Sequence, residues 1–174
     1  MLIHMSFLIV DGTGSEVLPA VSVNPDPDIP SAETYSVVTV SEILSDIVHA
    51  KPSSLFVVQT GGSGGKWQVD TPQTPLLKKG ERYLLFLYPD KREPAFDTHG
   101  TPRYNALGVW SGCVKIEDCK TFFLPSAVLE LHKYDNTTRE AFVNLVRARV
   151  DAVAPKNQII MKKWCGPGDC PAQR

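Results

Sequence analysis

The chain lacks a surplus of either charge: 18 lysine and arginine side chains stand against 19 aspartates and glutamates, a formal net charge of −1. Without a global positive field a phosphate backbone has no sequence-independent hold on the protein, which excludes nucleic acid as a default partner. Long apolar runs are missing as well. The opening stretch Leu2 to Val10 is interrupted by His4 and Ser6, has no basic flank, and reaches about half the ~20 residues of a membrane helix, so it is read as a strand. No membrane span is predicted. The four histidines, His4, His49, His99 and His132, show no H-x-H or H-x-x-x-H spacing that would place two on one metal, and no metal or cofactor is expected. Cysteine is sparse too. Cys113 and Cys119 form one local pair and Cys165 and Cys170 a second; zinc ligand pairs usually enclose two to four residues, which the first pair exceeds and the second just meets, so disulfides are favoured, then free thiols, then zinc, and three disulfide connectivities remain open.

Catalytic signatures are equally thin. Ser111-Gly-Cys113 has neither the G-x-S-x-G context of a nucleophile elbow nor a neighbouring His and Asn, and a disulfide half or a buried thiol is the simpler reading. Gly61-Gly-Ser-Gly-Gly65 precedes a strand-like segment, whereas a phosphate-cradling loop must open a helix. Asn136-Thr-Thr138 fits a glycosylation acceptor, but these residues are already explained by the start of a helix.

What is present is the composition of a folded β-rich chain. With 43% hydrophobic and 21% charged residues in 174, a proper core is available without staples, and a single domain is expected over 1–174. Its parts are an N-terminal strand with a Pro-rich linker (1–33), a β-barrel (34–130), and a helix with a cysteine-containing tail (131–174). Pro19, Pro25, Pro27 and Pro30 mark the linker as a loop. Thr34 to Leu44 and Ser54 to Thr60 read as strands from their β-branched and aromatic content, the second running through the glycines into Lys66 to Asp70 as a hairpin. Tyr83 to Tyr88 reads as a fully buried strand at the centre of the core. Arg103 to Trp110, Val114 to Ile116 and Lys120 to Leu124 follow. Helical periodicity appears only after Pro125: Phe142, Leu145, Val146, Val150 and Val153 share a stripe, and Thr137 with Glu140 suggests a capping box opening a helix from Thr138 to about Ala152. Gln158 to Lys162 would add an edge strand.

Short strands spaced by turns with a helix last predict a mainly β fold, an OB-like barrel with one C-terminal amphipathic α-helix. Val38-x-Val-x-Glu-x-Leu44, Val57-Val-Gln-Thr-Gly-Gly62 and Gly80-Glu-Arg-Tyr-Leu-Leu-Phe-Leu87 resemble uncharacterised extracytoplasmic bacterial and archaeal domains. Their barrel is of the type seen in tissue inhibitors of metalloproteinases. The resemblance spans about residues 34–125, with Tyr104 to Val114 able to supply a later strand pair around a Gly-rich turn. It implies a fold and an extracytoplasmic setting, with the export signal outside these residues. It does not imply inhibition of metalloproteinases, which in that family uses a cysteine at the mature N-terminus, because no cysteine precedes Cys113.

The functional expectation is a non-enzymatic extracytoplasmic binding or adhesion module with a protein or glycan partner. Asp97, His99, Arg103 and Trp67 are the candidate binding residues, since loops carry function and Asp97 could orient the His99 imidazole. Two alternatives stand beside it. One is a structural subunit that forms homo-oligomers by lending its detached N-terminal strand to a neighbour. The other is a small hydrolase using the 97–103 loop.

Overall fold

The computed structural model describes residues 2–23, 31–47, 49–64, 68–69, 76–93, 97–107, 111–123, 127 and 129–164, the last of these by backbone alone beyond Val153. The expected mainly β fold is what forms. Five strands, β1 (Leu8–Val17), β3 (Ala32–Asp46), β4 (Ser54–Thr60), β7 (Arg82–Pro89) and β8 (Arg103–Ala106), close into a barrel in the order β1-β3-β4-β8-β7 and back to β1. β4 and β8 are parallel and the other barrel pairs antiparallel. Short β2 (Val21–Ser22) lies along the start of β3, so the Pro-rich segment predicted to stay outside the sheet contributes a two-residue edge strand. β5 (Gly62–Ser63) and β6 (Gln68–Val69) form a separate ladder at the glycine tip; the hairpin is there, but β4 is not its arm. Gly62 takes φ +119°, and a Cβ on it would lie 2.1 Å from the Thr34 hydroxyl, so only glycine fits.

β1 and β3 bend the wall. Their register slips at Ile9/Val10, Asp11/Gly12 and Gly14/Glu16, and each bulge adds local twist, which lets one 15-residue strand curl past both β1 and β4. Val10, Val38, Leu55, Val57, Leu85 and Leu87 point inward and have no exposed surface. Their neighbours Ile9, Leu84 and Phe86 point outward against α2 (Arg139–Trp164). A strand covered on both faces must be apolar throughout, which is why Tyr83 to Leu87 carries no polar alternation.

Four expectations are corrected. Leu2–Met5 form a short helix, α1, whose Leu2 and Ile3 pack toward α2 and which ends where the Ser6 hydroxyl donates to the Leu2 carbonyl at 2.7 Å. The N-terminal strand is not detached: β1 pairs with β3 on one side and β7 on the other, with Leu8, Ile9 and Val10 at 0% exposure, so lending it to a neighbour would open the barrel. Gln158 to Lys162 continue α2 instead of forming an edge strand. Finally, the helix cap is Thr138, not Thr137. Its hydroxyl accepts from the Ala141 amide at 3.3 Å, and Val143 (3% exposed) takes the buried position expected of Leu145, which is 37% exposed.

β9 (Cys113–Glu117) and β10 (Lys120–Phe123) extend the sheet beyond β7. The outer edge of β10 is covered: the Thr121 amide donates to the Thr137 carbonyl, the Asn136 amide to Thr121, and the Phe123 amide to the Asp135 carboxylate at 2.7 Å. This chain segment therefore offers no open ladder for another strand.

An ion-pair network fastens the helix to the barrel. The Asp11 carboxylate, on the outward face of β1 and fully buried, accepts from Arg82 Nε at 2.6 Å and from Arg139 Nε at 2.5 Å. Arg139 also reaches Glu42 at 2.6 Å, and Glu42 pairs with Arg147.

Candidate functional site

The sequence candidates are not brought together. Asp97 and His99 do pair, Oδ2 to Nδ1 at 3.1 Å, but their side chains are 76% and 86% exposed, on a turn with φ +49° at His99. Asp97 also accepts the His99 backbone amide at 2.7 Å, which accounts for the turn without any ligand. Arg103 belongs elsewhere: it opens β8, its side chain is 8% exposed, and it faces Asp90 at 3.8 Å. Trp67 lies outside the described residues. Because the 97–99 turn is solvated and holds nothing else in place, His99→Ala is expected to change the unfolding free energy by no more than about 0.5 kcal/mol, checked by denaturant titration.

Cys113 and Cys119 are free thiols. Cys113 begins β9 with its side chain in the barrel interior, whereas Cys119 sits at the exposed β9–β10 turn with φ +60°. An extended arm separates them, so the local 113–119 bridge does not form. Burial pushes the Cys113 thiol up to about 12, which makes it an inert core group. Cys165 and Cys170 lie outside the described residues.

A different site emerges on the outer wall, where β3, β4, β8 and β7 run side by side. Outward-facing Glu33 and Thr60 are cross-strand partners on β3 and β4, Val58, Asn105 and Tyr88 are partners across β4, β8 and β7, and together they line an open groove of about 540 Å³. The turn after β7 closes one end. There Asp90 accepts from Arg92 through both oxygens, 2.9 Å to Nε and 3.1 Å to Nη2, and the same guanidinium reaches across to Glu33. The other Glu33 oxygen takes the Tyr35 hydroxyl at 3.2 Å, and the Asp90 backbone amide is fixed by the Arg103 carbonyl at 2.9 Å. Glu33 and Asp90 are 11% and 2% exposed at the side chain, Arg92 is 57% exposed.

The electrostatics follow from these contacts. Burial alone would raise the Asp90 carboxyl, but the hydrogen bonds and charge of Arg92, with Arg103 behind, outweigh it and hold the group below the usual carboxylate range. The hydrogen bonds that Arg92 donates to Asp90, against burial, and then the one it donates to Glu33 push its guanidinium upward. Both shifts favour the charged forms of Asp90 and Arg92, so this pair stays ionised at neutral pH. Tyr88 leaves 38% of its surface in solvent at the rim.

Neither the protein-family models nor the curated proteins match this chain. Its chemistry must be read from the groove itself. Among the described residues no three His, Cys, Asp or Glu side chains are grouped to hold a metal ion, and no helix is long and apolar enough to cross a membrane. Sequence reasoning missed the groove because its wall is assembled from β3, β4, β7 and β8 and its ion pairs join Glu33 of β3 to Asp90 and Arg92 in the turn after β7, contacts that no local spacing encodes.

Proposed function

We propose that this protein is a non-enzymatic binding module and that a protein or glycan partner docks in the groove across β3, β4, β8 and β7. One observation carries the reading: three charged side chains, Glu33, Asp90 and Arg92, are already locked in mutual hydrogen bonds along an open, solvent-reachable groove. Burying charge costs free energy that apolar packing would not, so a paired cluster on an outer wall is better explained by recognition than by stability. Polar groups fixed before the ligand arrives lose no further freedom on binding, and the groove volume falls within the range of roughly 300–1,000 Å³ found for small-ligand sites.

The test is a cocktail of small polar fragments observed by ligand-detected NMR against the wild type and against Thr60→Trp, in which the indole fills the groove from an exposed strand end. Fragments should bind the wild type and lose at least tenfold in occupancy on the variant. Hits that Thr60→Trp leaves unchanged would remove the groove from the account.

The proposal includes an extracytoplasmic setting, supported by the family resemblance and by the short loop that Cys165 and Cys170 would close. With Cys113 and Cys119 free, protein from its native host, denatured but unreduced, is expected to alkylate at those two thiols, and at all four after reduction. Four reactive thiols without reduction would take away the chemical support for export.

A further inference from the structure

We infer that the ligand of this groove is an uncharged saccharide, an assignment that rests on the groove being the binding site. The lining carries two acids, Glu33 and Asp90, against two bases, Arg92 and the exposed Lys91, with Arg103 behind Asp90, so the groove has no net negative charge and its acids are already matched. A cationic ligand would have to displace Arg92 from its bidentate fork on Asp90 and from Glu33, and an anionic ligand would have to pull the same guanidinium away from them, its alternative being the one solvated Lys91 amine. Either exchange gives up charge-assisted hydrogen bonds inside a partly desolvated cluster to form others of the same kind. A hydroxyl makes no such demand.

Each carboxylate oxygen holds two lone pairs, and Arg92 and Tyr35 use part of that capacity, so a sugar hydroxyl can donate to Glu33 or Asp90 without breaking an existing bond. The second requirement of a saccharide is a flat apolar surface for its C–H face. The groove provides the part-exposed Tyr88 ring and the held plane of the Arg92 guanidinium, with the largely buried Val58 of β4 beside Asn105 on the same wall. Donor-accepting carboxylates beside flat surfaces, with the charges cancelled in advance, suit a polyhydroxylated ring better than a peptide, whose backbone would need a free strand edge or whose side chains would bring their own charge.

The experiment is a glycan array carrying neutral, sialylated, sulfated and amino-sugar oligosaccharides, probed with the intact wild-type chain, Tyr88→Ala and Thr60→Trp. Neutral oligosaccharides should be retained, with binding roughly tenfold weaker on Tyr88→Ala, as expected for loss of an aromatic contact, and absent on Thr60→Trp. Retention only of acidic or only of amino-sugar glycans would overturn the inference, as would no retention of any glycan. In each of those cases fragment binding sensitive to Thr60→Trp would leave the groove standing as the site, and its absence would remove both.

Discussion

Replacing Asp11 by alanine is expected to lower the unfolding free energy by about 3 kcal/mol, near the lower end of the ~3–5 kcal/mol that follows removal of one partner from a buried ion pair. The Asp11 carboxylate has no exposed surface and neutralises two arginines at once, one on β7 and one at the first turn of α2. Without it both guanidiniums face each other across the space it occupied. The lower end of the range applies because Arg82 and Arg139 are 42% and 25% exposed and regain water when released. Arg147→Ala, which removes only the half-exposed outer partner of Glu42, is expected to cost at most about 1 kcal/mol. A double-mutant cycle between Asp11→Ala and Arg139→Met should show coupling, since the two side chains are in direct contact. Equal, small losses for Asp11→Ala and Arg147→Ala would mean that the helix is not fastened through this network.

Phe142→Ala is expected to cost about 3–5 kcal/mol, the usual result of removing a buried phenylalanine from a packed cluster. Phe142 is 5% exposed and sits in edge contact with Phe123, ring centroids 5.8 Å apart, and against Tyr134 at 5.6 Å, so its loss opens the seam between α2 and the sheet. Leu145→Ala, three residues on, is the control. Leu145 is 37% exposed and should cost less than about 1 kcal/mol, although periodicity alone assigns it to the same apolar stripe. Denaturant midpoints of the two variants measure the difference directly. If Leu145→Ala were the more damaging, the helix would be rotated from the orientation described.

The contrast between those two residues shows how far the sequence could be read. A run of apolar residues with no polar alternation, Tyr83 to Leu87, announces a strand covered on both faces, and it is one, because the barrel interior takes Leu85 and Leu87 while α2 takes Leu84 and Phe86. Leu2 to Val10 carried a similar signal and divided into a helix and a strand, since a short apolar run is compatible with either and only the packing of Leu2 and Ile3 near α2 decides. Asp11, the first polar residue after the apolar start of β1, gave no warning of its burial; its partners stand 71 and 128 residues away. The groove was illegible for the same reason. Glu33 and Arg92 are 59 residues apart, and Arg103, grouped in sequence with Asp97 and His99 as a candidate binding residue, instead faces Asp90 from the start of β8. Local chemistry such as the Asp97–His99 turn is visible in the sequence. A site assembled by barrel closure is not.

The groove is the centre of the functional account, and amide chemical-shift mapping of isotopically labelled protein with neutral oligosaccharides tests it most directly. The account predicts that the perturbed amides gather around Glu33, Thr60, Tyr88, Asp90 and Asn105, on one wall of the barrel. Perturbations gathered instead at the Asp97–Gly100 turn or along α2, or none at any concentration, would contradict it.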